Sequence, residues 1–212
     1  MPKGMDFSYQ GNEVKRIGLY GGSFDPIHLG HLLVAEDAYD SFHLDRVDFL
    51  PAYHPPHKNG KENNYQERLE MLKIAIRDNP HFSIDRREIM SKTIRYSVDT
   101  VKEWKKEHPS WKLYFIIGED SLLSIESWHR PWELLSLTSL IVARRSEVAG
   151  DLVEKAESLN QRGFDVGIIE RYTNSISSSD IRKDVCEGRS IRYTVPIEVE
   201  KYIYEKRLYV GC

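Results

Sequence analysis

Cysteine is scarce in this sequence of 212 residues, which has only Cys186 and Cys212. Small secreted domains that depend on disulfide bonds need several cysteines, so the count excludes a disulfide framework. Long apolar runs are also lacking, because no segment approaches the roughly 18 apolar residues of a membrane span. Met1 to Glu13 has no apolar core of the kind that signal peptides contain. We therefore expect a reducing, cytoplasmic location and no membrane partner.

An excess of basic charge is missing as well, since the formal net charge is −3. Proteins that bind nucleic acid through its backbone present a basic field, so we expect no nucleic-acid partner and only a local phosphate site. The length suits one sizeable domain. We predict a flexible N-terminal extension over residues 1–13 and a single domain over residues 14–212.

Apolar runs typical of buried parallel strands alternate along the chain with amphipathic stretches, which predicts a doubly wound α/β sheet. The predicted strands are Val14–Tyr20, Arg46–Leu50, Phe82–Asp85, Leu113–Ile117, Leu140–Ala143 and Val166–Ile169. The predicted helices are Leu29–Phe42, Tyr65–Arg77, Ser97–Lys106, Asp151–Gln161, Ser178–Glu187 and Pro196–Lys206. Ligands of such sheets bind beyond the carboxyl ends of the strands, where the strand order reverses.

A glycine-rich segment, Gly21 to His31, follows the first predicted strand. Gly21 and Gly22 permit a tight turn and the close approach of a ligand to backbone N–H groups, and Pro26 suits the first turn of a helix. Such a helix entrance is suited to an anion. The glycine spacing is not the dinucleotide fingerprint and the chain has no Gly-Lys-Ser/Thr P-loop, so both of those phosphate-binding devices are excluded.

Two histidines of this segment, His28 and His31, are three residues apart, a spacing that places side chains on one face of a helix. Both imidazoles could then face one phosphate, and Gly30 between them leaves room for a base or ribose. The spacing alone also allows a buried histidine beside an unrelated surface histidine. A zinc site is a further alternative because His54 and His57 repeat the spacing, although the glycine-rich entrance favours an anion over a cation.

The run Gly-Ser-Phe-Asp-Pro-Ile-His-Leu-Gly-His from Gly22 to His31 resembles the signature of the adenylyltransferase and cytidylyltransferase superfamily. The resemblance implies a Rossmann-like, mainly parallel sheet with helices on both faces and a small C-terminal helical part. It also implies that the two histidines bind the α-phosphate region of a nucleotide.

A second segment reads Ile-Ser-Ser-Ser-Asp-Ile-Arg from Ile176 to Arg182. Ser177 and Asp180 have capping-box spacing, which would gather N–H groups, hydroxyls and the Arg182 guanidinium at one helix entrance. An ordinary capped helix with a surface arginine explains this pattern equally well on its own. The segment resembles the superfamily's Ser-Ser-Thr-x-Ile-Arg motif, which grips the β- and γ-phosphates of ATP, with Ser179 in place of the commoner threonine.

Three further stretches resemble the bacterial nicotinate mononucleotide adenylyltransferases. Pro55 to Lys58 is similar to a mobile Pro-Pro-His-Lys loop of that family, in which the lysine neutralises substrate phosphate. Phe115 to Leu122 resembles the strand and turn in which an aspartate, here Asp120, helps to hold the nucleotide ribose. Glu119 stands there in place of the family's usual alanine, which adds charge near the site.

The third stretch, Tyr96 to Thr100, resembles the family's Ser-Tyr-Thr-x-x-Thr segment, and Trp128 falls where the family has an aromatic that stacks on the pyridine ring. Without the family, Tyr96 and Trp128 could equally be core or rim aromatics. Arg95 and Ser97 replace the family's usual serine and threonine. Arg95 is therefore expected either to partner the nicotinate carboxylate or to point to water.

The resemblance implies an enzyme that transfers the adenylyl group of ATP to nicotinate mononucleotide and releases pyrophosphate, a step in NAD biosynthesis. The expected catalytic residues are His28, His31 and Arg182. The expected ATP contacts are Gly21, Gly22, Ser23, Phe24, His28, Gly30, His31, Gly118, Asp120, Ser178, Ser179 and Arg182. The expected nicotinate mononucleotide contacts are Lys58, Tyr96, Ser97 and Trp128. Magnesium should arrive with ATP rather than in a protein cage.

Two other functions stay open: another small-molecule nucleotidyltransferase of the superfamily, and a catalytically silent nucleotide-binding regulator. The presence of both histidines, Asp120 and Arg182 argues against loss of the site. A tRNA synthetase is excluded because Ile89 replaces the first lysine of the Lys-Met-Ser-Lys-Ser loop and the net charge is unsuited to tRNA. The sequence is also compatible with a homo-oligomer.

Overall fold

The computed structural model describes residues 14–53, 65–91, 95–144, 150–169 and 176–211. Within these residues six parallel strands form one sheet in the order β3-β2-β1-β4-β5-β6. The strands are β1 Arg16–Gly22, β2 Arg46–Pro51, β3 Phe82–Ile84, β4 Lys112–Gly118, β5 Ser139–Ala143 and β6 Val166–Ile169. The order reverses between β1 and β4, which is where a doubly wound sheet opens a crevice for ligands.

The helices described are α1 Leu29–Ser41, α2 Tyr65–Ile76, α3 Arg87–Ser91, α4 Ser97–Glu107, α5 Glu119–Leu123, α6 Pro131–Leu137, α7 Gly150–Gln161, α8 Ser178–Cys186 and α9 Ile197–Glu205, with a 3-10 turn at Ile125–Ser127. All predicted strands and helices are confirmed, with small shifts at their ends. The prediction missed α3, α5 and α6, which have only five, five and seven residues. Segments this short do not show a clear helical period of apolar residues.

The core consists of two apolar clusters, one on each face of the sheet. Along β1, Ile17 and Leu19 belong to one cluster and Tyr20 belongs to the other. Neighbouring residues of a strand point to opposite faces, so both faces of β1 are buried, as in other parallel sheets. Helices α1, α2, α8 and α9 cover the face of Tyr20, and α4 to α7 cover the opposite face. The predicted helices on both faces are therefore confirmed.

The remaining expectations from the sequence concern the cysteines, membrane spans and segments outside the described residues. Cys186, the last residue of α8, is disulfide-bonded, whereas the cysteine count excluded only a framework of several bonds. None of the helices described is long and apolar enough to cross a membrane. The extension over residues 1–13, the loop that contains Lys58 and the alternative zinc ligands His54 and His57 lie outside the described residues.

Candidate active site

The expected nucleotide-binding residues gather at the carboxyl ends of β1 and β4, which are neighbouring parallel strands. Gly21 and Gly22 are the last two residues of β1, and Gly118 is the last residue of β4. Gly118 is also the N-cap of α5, which brings the exposed Asp120 into that helix's first turn. Both predicted motif ends therefore lie beside the crevice at the reversal of strand order.

The turn after β1 has no room for side chains at its two glycines. A Cβ on Gly22 would lie 2.9 Å from the ring of Phe24, and one on Gly21 would lie 3.2 Å from the ring of Phe115. Phe24 is only 1% exposed and packs edge-on against Tyr20, with ring centroids 5.5 Å apart. Its backbone is in the left-handed region, with φ of 46°. The buried Phe24 ring therefore anchors this turn in the core.

His28 and His31 fix each other at the N-terminus of α1. The Nδ1 atom of His28 accepts from the N–H of His31, and the Nδ1 atom of His31 accepts from the N–H of His28, both at 3.3 Å. The two rings stack with centroids 3.6 Å apart. Because each Nδ1 is an acceptor, a neutral ring carries its proton on Nε2. Each imidazole thus has an Nε2–H group, a hydrogen-bond donor of the kind that suits a phosphate oxygen.

The structure corrects two details of this segment. Pro26, which suits the first turn of a helix, lies before α1 instead, because α1 begins at Leu29, as predicted, and His28 is its N-cap. The peptide bond between Asp25 and Pro26 is cis. His28 consequently meets His31 across a reciprocal cap instead of along a helix face. The expected pairing of the two imidazoles is nevertheless present, and it lies at a helix N-terminus, where the dipole favours an anion.

The second sequence motif opens α8 and is fastened to the first. Ser177 is the N-cap, as predicted, and its Oγ accepts from the N–H of Asp180 at 3.1 Å. The Ser178 hydroxyl donates to the carbonyl oxygen of Pro26 at 2.9 Å. The two motifs, far apart in sequence, are therefore in direct contact and form one continuous entrance.

Arg182 also connects the two motifs, since it contacts Asp25 in the first and Ser179 in the second. Its Nη1 donates to the carbonyl oxygen of Asp25 at 2.6 Å and lies 3.8 Å from that residue's Oδ2. Its Nη2 donates to the Ser179 hydroxyl at 3.3 Å. The side chain is 27% exposed and hydrogen-bonded, so the alternative of a surface arginine that points to solvent does not hold. A guanidinium has more N–H donors than these bonds use, which leaves capacity for phosphate oxygens.

Arg68 of α2 is a further residue of the site, which the sequence patterns did not identify. It is 4% exposed, and its Nη1 donates to the carbonyl oxygen of Ser23 at 2.5 Å. Its Nη2 donates to the carbonyl oxygens of Ala52 at 2.7 Å and Tyr53 at 3.1 Å. Burial lowers the pKa of the guanidinium, and the nearby charge of Asp25 opposes that shift. Arg68 thus ties the turn after β1 to the segment after β2.

A signal for Arg68 does exist in the sequence. It lies one turn before Leu72 on the face of α2 that is otherwise apolar and buried. An arginine in the middle of such a stripe must find partners for its charge inside the protein. The composition cannot tell whether those partners are carboxylates or carbonyl groups, so the connection between the two loops needed the structure.

The residues expected around the pyridine ring also meet. The Tyr96 ring stacks on His129 with centroids 4.1 Å apart, and His129 directly follows Trp128. Trp128 itself lies edge-on to Phe115, with centroids 6.3 Å apart. Tyr96 is 46% exposed and therefore lies at a rim, whereas Trp128 is half-buried and packs against the apolar cluster on its face of the sheet. The structure therefore places the segments of Tyr96 and Trp128 side by side, with Ser97 as the first residue of α4.

The structure decides one of the two alternatives left open for Arg95. It forms an ion pair with Glu103 of α4, and its side chain is only 19% exposed. The idea that it points to water is therefore wrong. Its pair with Glu103 involves Nη2, and a guanidinium has further N–H donors, so a role beside the nicotinate carboxylate stays a prediction.

Glu88 of α3 lies close behind this region. The Thr100 hydroxyl donates to Glu88 Oε1 at 3.0 Å. Burial raises the pKa of the carboxyl to about 7, while the Thr100 hydrogen bond and the charge of Arg95 oppose the rise. The folded protein therefore holds this proton more tightly than the unfolded chain, in which glutamate titrates near 4.3.

This proton predicts how stability depends on pH. The unfolding free energy should fall by about 2 to 3 kcal/mol as the pH rises from about 5 to about 8, because a buried carboxylate replaces a neutral acid. Glu88→Gln keeps the acceptor for Thr100 without the charge and should remove that part of the fall. Urea titrations across this range would measure it. Glu126→Gln is the control, since Lys155 lowers the pKa of that exposed carboxyl, and equal pH profiles for Glu88→Gln and wild type would contradict the assignment.

Within the described residues, no group of three or more His, Cys, Asp or Glu side chains could hold a metal ion. The donors at the joined entrance are imidazole, hydroxyl, guanidinium and backbone N–H groups, which suit phosphate oxygens. Nucleotidyltransferases of this kind generally use a divalent metal with ATP. The donor set here fits an ion that is held largely by the nucleotide.

Comparisons with known proteins agree with this arrangement. The sequence profile of the cytidylyltransferase-like family matches residues 19–184, a range that includes His28, His31 and Arg182. A probable nicotinate-nucleotide adenylyltransferase of Exiguobacterium sibiricum is 41% identical over 194 residues, which cover 92% of this chain and 98% of the relative. One from Thermomicrobium roseum is 40% identical over 197 residues, 92% of each chain.

A solved structure supports the fold. Nicotinic acid mononucleotide adenylyltransferase of Plasmodium falciparum, complexed with NaAD, aligns with a TM-score of 0.76 at 23% identity, over 92% of this chain and 97% of that one. Identity this low is evidence for the shared architecture only. The sequence profile and the bacterial relatives go further, and by them this chain belongs to the cytidylyltransferase-like family and, within it, to the nicotinate-nucleotide adenylyltransferases.

Proposed function

We propose that this protein transfers the adenylyl group of ATP to nicotinate mononucleotide, giving nicotinate adenine dinucleotide and pyrophosphate. The main support for this proposal is the contact between the two sequence motifs. Ser178 of α8 donates to the carbonyl group of Pro26, and Arg182 donates to that of Asp25. This junction gathers donors for a triphosphate at the reversal of strand order. The names of the bacterial relatives supply the second substrate.

The chemistry requires no base from the protein. A phosphate oxygen of nicotinate mononucleotide, already anionic at neutral pH, attacks the α-phosphorus of ATP. The bond from the α-phosphorus to the bridging oxygen breaks, and pyrophosphate leaves with the electron pair. Catalysis then consists of positioning and of stabilising charge. We assign this role at the α-phosphate to the Nε2–H groups of His28 and His31.

The leaving pyrophosphate would bind at the N-terminal entrance of α8. Ser178, Ser179 and Arg182 line that entrance, and the dipole of the helix adds a favourable field for an anion. The planar guanidinium can bind two phosphate oxygens at once. Gly21 to Phe24 and Gly30 would lie against the nucleotide through their backbone, while Gly118 and Asp120 would meet its ribose.

The pyridine half of the product would bind beside the N-terminus of α4. Tyr96 is the N-cap of α4 without a side-chain hydrogen bond, and its carbonyl accepts from the N–H groups of Asp99 and Thr100. The N–H groups that precede Asp99 at this helix entrance would suit a carboxylate. Trp128 offers a face for the pyridine ring. Ser97 lies at the same helix entrance, and Lys58 would neutralise substrate phosphate from the loop after β2.

We further propose that the divalent ion is Mg²⁺, bound mainly by ATP oxygens and water, and that residues 14–212 act as one nucleotidyltransferase domain. The ion would neutralise charge on the phosphates when ATP is bound. We also propose a cytoplasmic location, where ATP is available. The disulfide bond of Cys186 would there be exposed to cellular thiols.

The choice of pyridine substrate tests the pyridine-binding part of this proposal. We expect kcat/KM for nicotinate mononucleotide to exceed that for the nicotinamide form by about tenfold or more, because helix N–H donors that suit a carboxylate are poorly matched by a neutral amide. Pyrophosphate release with each substrate at fixed ATP would measure the ratio. Equal values of kcat/KM would contradict the assignment of the α4 entrance to the nicotinate carboxylate.

A further inference from the structure

A hydrogen bond from the C-terminal segment reaches the first motif. The hydroxyl of Tyr209 donates to Oδ1 of Asp25 at 2.9 Å, across 184 positions of the sequence. Burial is the main cause that raises the pKa of this phenol far above its ordinary value, and the charge of Asp25 adds to it. Tyr209 is therefore a neutral, permanent donor throughout the working pH range.

Asp25 connects Tyr209 to the arginine of the second motif. While its Oδ1 accepts from Tyr209, its Oδ2 lies 3.8 Å from Nη1 of Arg182. The carbonyl oxygen of Asp25 accepts from the same Nη1 at 2.6 Å. One residue thus joins the C-terminal tyrosine to the guanidinium at the entrance of α8.

The backbone conformation of the turn after α9 positions the Tyr209 ring. Arg207 and Tyr209 both have left-handed backbone conformations, with φ of 50° and 64°. Such conformations are unfavourable for residues other than glycine and persist where the surrounding contacts fix them. Leu208 and Tyr209 pack against the apolar cluster on their face of the sheet. The hydroxyl therefore comes from an anchored segment and not from a fraying terminus.

We propose that Tyr209 is a positioning residue for adenylyl transfer. By holding the Asp25 carboxylate, it keeps Arg182 at the α8 entrance in the orientation that receives pyrophosphate. This inference rests on the proposed function. Without the phenol, the carboxylate can rotate and draw the guanidinium with it, so that ATP and pyrophosphate are bound less well while nicotinate mononucleotide is unaffected.

Tyr209→Phe tests the proposal, with Tyr202→Phe as its matched control. The Tyr202 hydroxyl also donates to a carboxylate, that of Glu67 at 2.5 Å, but this bond joins α9 to α2. Both variants lose one phenol-carboxylate hydrogen bond from the same part of the chain. We expect Tyr209→Phe to raise KM for ATP in the forward reaction and KM for pyrophosphate in the reverse reaction by about five- to tenfold. KM for nicotinate mononucleotide should stay unchanged.

The control separates positioning from stability. Thermal melts of both variants should shift by similar small amounts, whereas Tyr202→Phe should leave all three KM values unchanged. If Tyr209→Phe keeps wild-type KM values for ATP and pyrophosphate, the inference is overturned. A wild-type protein that turns over neither substrate pair overturns the proposed function instead, so the two failures are distinguishable.

The route through Asp25 has its own test. Asp25→Asn should raise the same two KM values, and adding Tyr209→Phe to it should cause little further change, because residues that act through one contact are not additive. Effects that multiply in the double variant would show that Tyr209 acts independently of Asp25 and would overturn the route. Asp25→Asn also keeps the proposal testable if Tyr209→Phe does not fold.

Discussion

Replacing His31 with alanine is expected to lower kcat by about a hundredfold or more, the scale of losing one preorganised donor to transition-state charge. The Nδ1 atom of His31 accepts from the N–H of His28, so a neutral ring carries its proton on Nε2, the donor that we propose for the α-phosphate. The substitution removes that donor and also one acceptor of the reciprocal cap, so stability should fall by about 1 kcal/mol. Steady-state kinetics and a thermal melt would measure the two effects separately.

His108→Ala is the matched control for this change. His108 also lies in a stacked pair, on Trp111 with centroids 3.6 Å apart, but it is the C-cap of α4, in the short connection that leads to the start of β4 at Lys112. It therefore lies at the amino edge of the sheet, away from the crevice. We expect a wild-type kcat for His108→Ala. A folded His31→Ala protein with near-normal turnover would remove His31 from the mechanism.

Arg182→Lys is expected to lower kcat/KM for ATP by about thirtyfold or more, although the charge is retained. An ammonium is a point charge that cannot reproduce the planar guanidinium, which here contacts Asp25 and Ser179 and still has donors for phosphate. The KM for nicotinate mononucleotide should stay nearly unchanged, because the α4 side of the crevice is unaltered. Varying each substrate in turn would show this selective effect.

Arg189→Lys provides the comparison just beyond the opposite end of α8. Arg189 follows α8 and pairs with Asp184 at its C-terminal end, where the side chain is half exposed. Lysine at an exposed pair of this kind should alter stability by less than about 0.5 kcal/mol and leave both substrates' kinetics intact. If Arg182→Lys resembles Arg189→Lys in its ATP kinetics, the entrance of α8 is an ordinary capped helix and not a pyrophosphate site.

The sequence predicted the sheet well because each of its strands is an apolar run between amphipathic helices. It missed α3, α5 and α6, whose few residues show no clear period. It predicted the start of α1 at Leu29 correctly, but it did not show that Pro26, a residue suited to a first turn, lies outside the helix before a reciprocal histidine cap. Local rules thus describe strand content better than the turns at the strand ends.

The candidate site divides in the same way. Residues inside the two motifs could be named from their order along the chain, and the structure brings His28, His31 and Arg182 to one entrance. Arg68 and Tyr209 could not be named, since their partners are carbonyl and carboxylate groups of distant segments. The ion pair of Arg95 with Glu103 was likewise hidden, because both charges read as ordinary surface residues.

The most direct test of the account is a product assay on the purified wild-type chain with ATP, nicotinate mononucleotide and Mg²⁺. We expect pyrophosphate and nicotinate adenine dinucleotide in equal amounts over many turnovers, with the dinucleotide identified by its mass. A chain that binds ATP, as shown by calorimetry, but forms no dinucleotide would contradict it and would leave a nucleotide-binding regulator. Pyrophosphate release that requires a different phosphorylated acceptor would instead make the chain another nucleotidyltransferase of the same family.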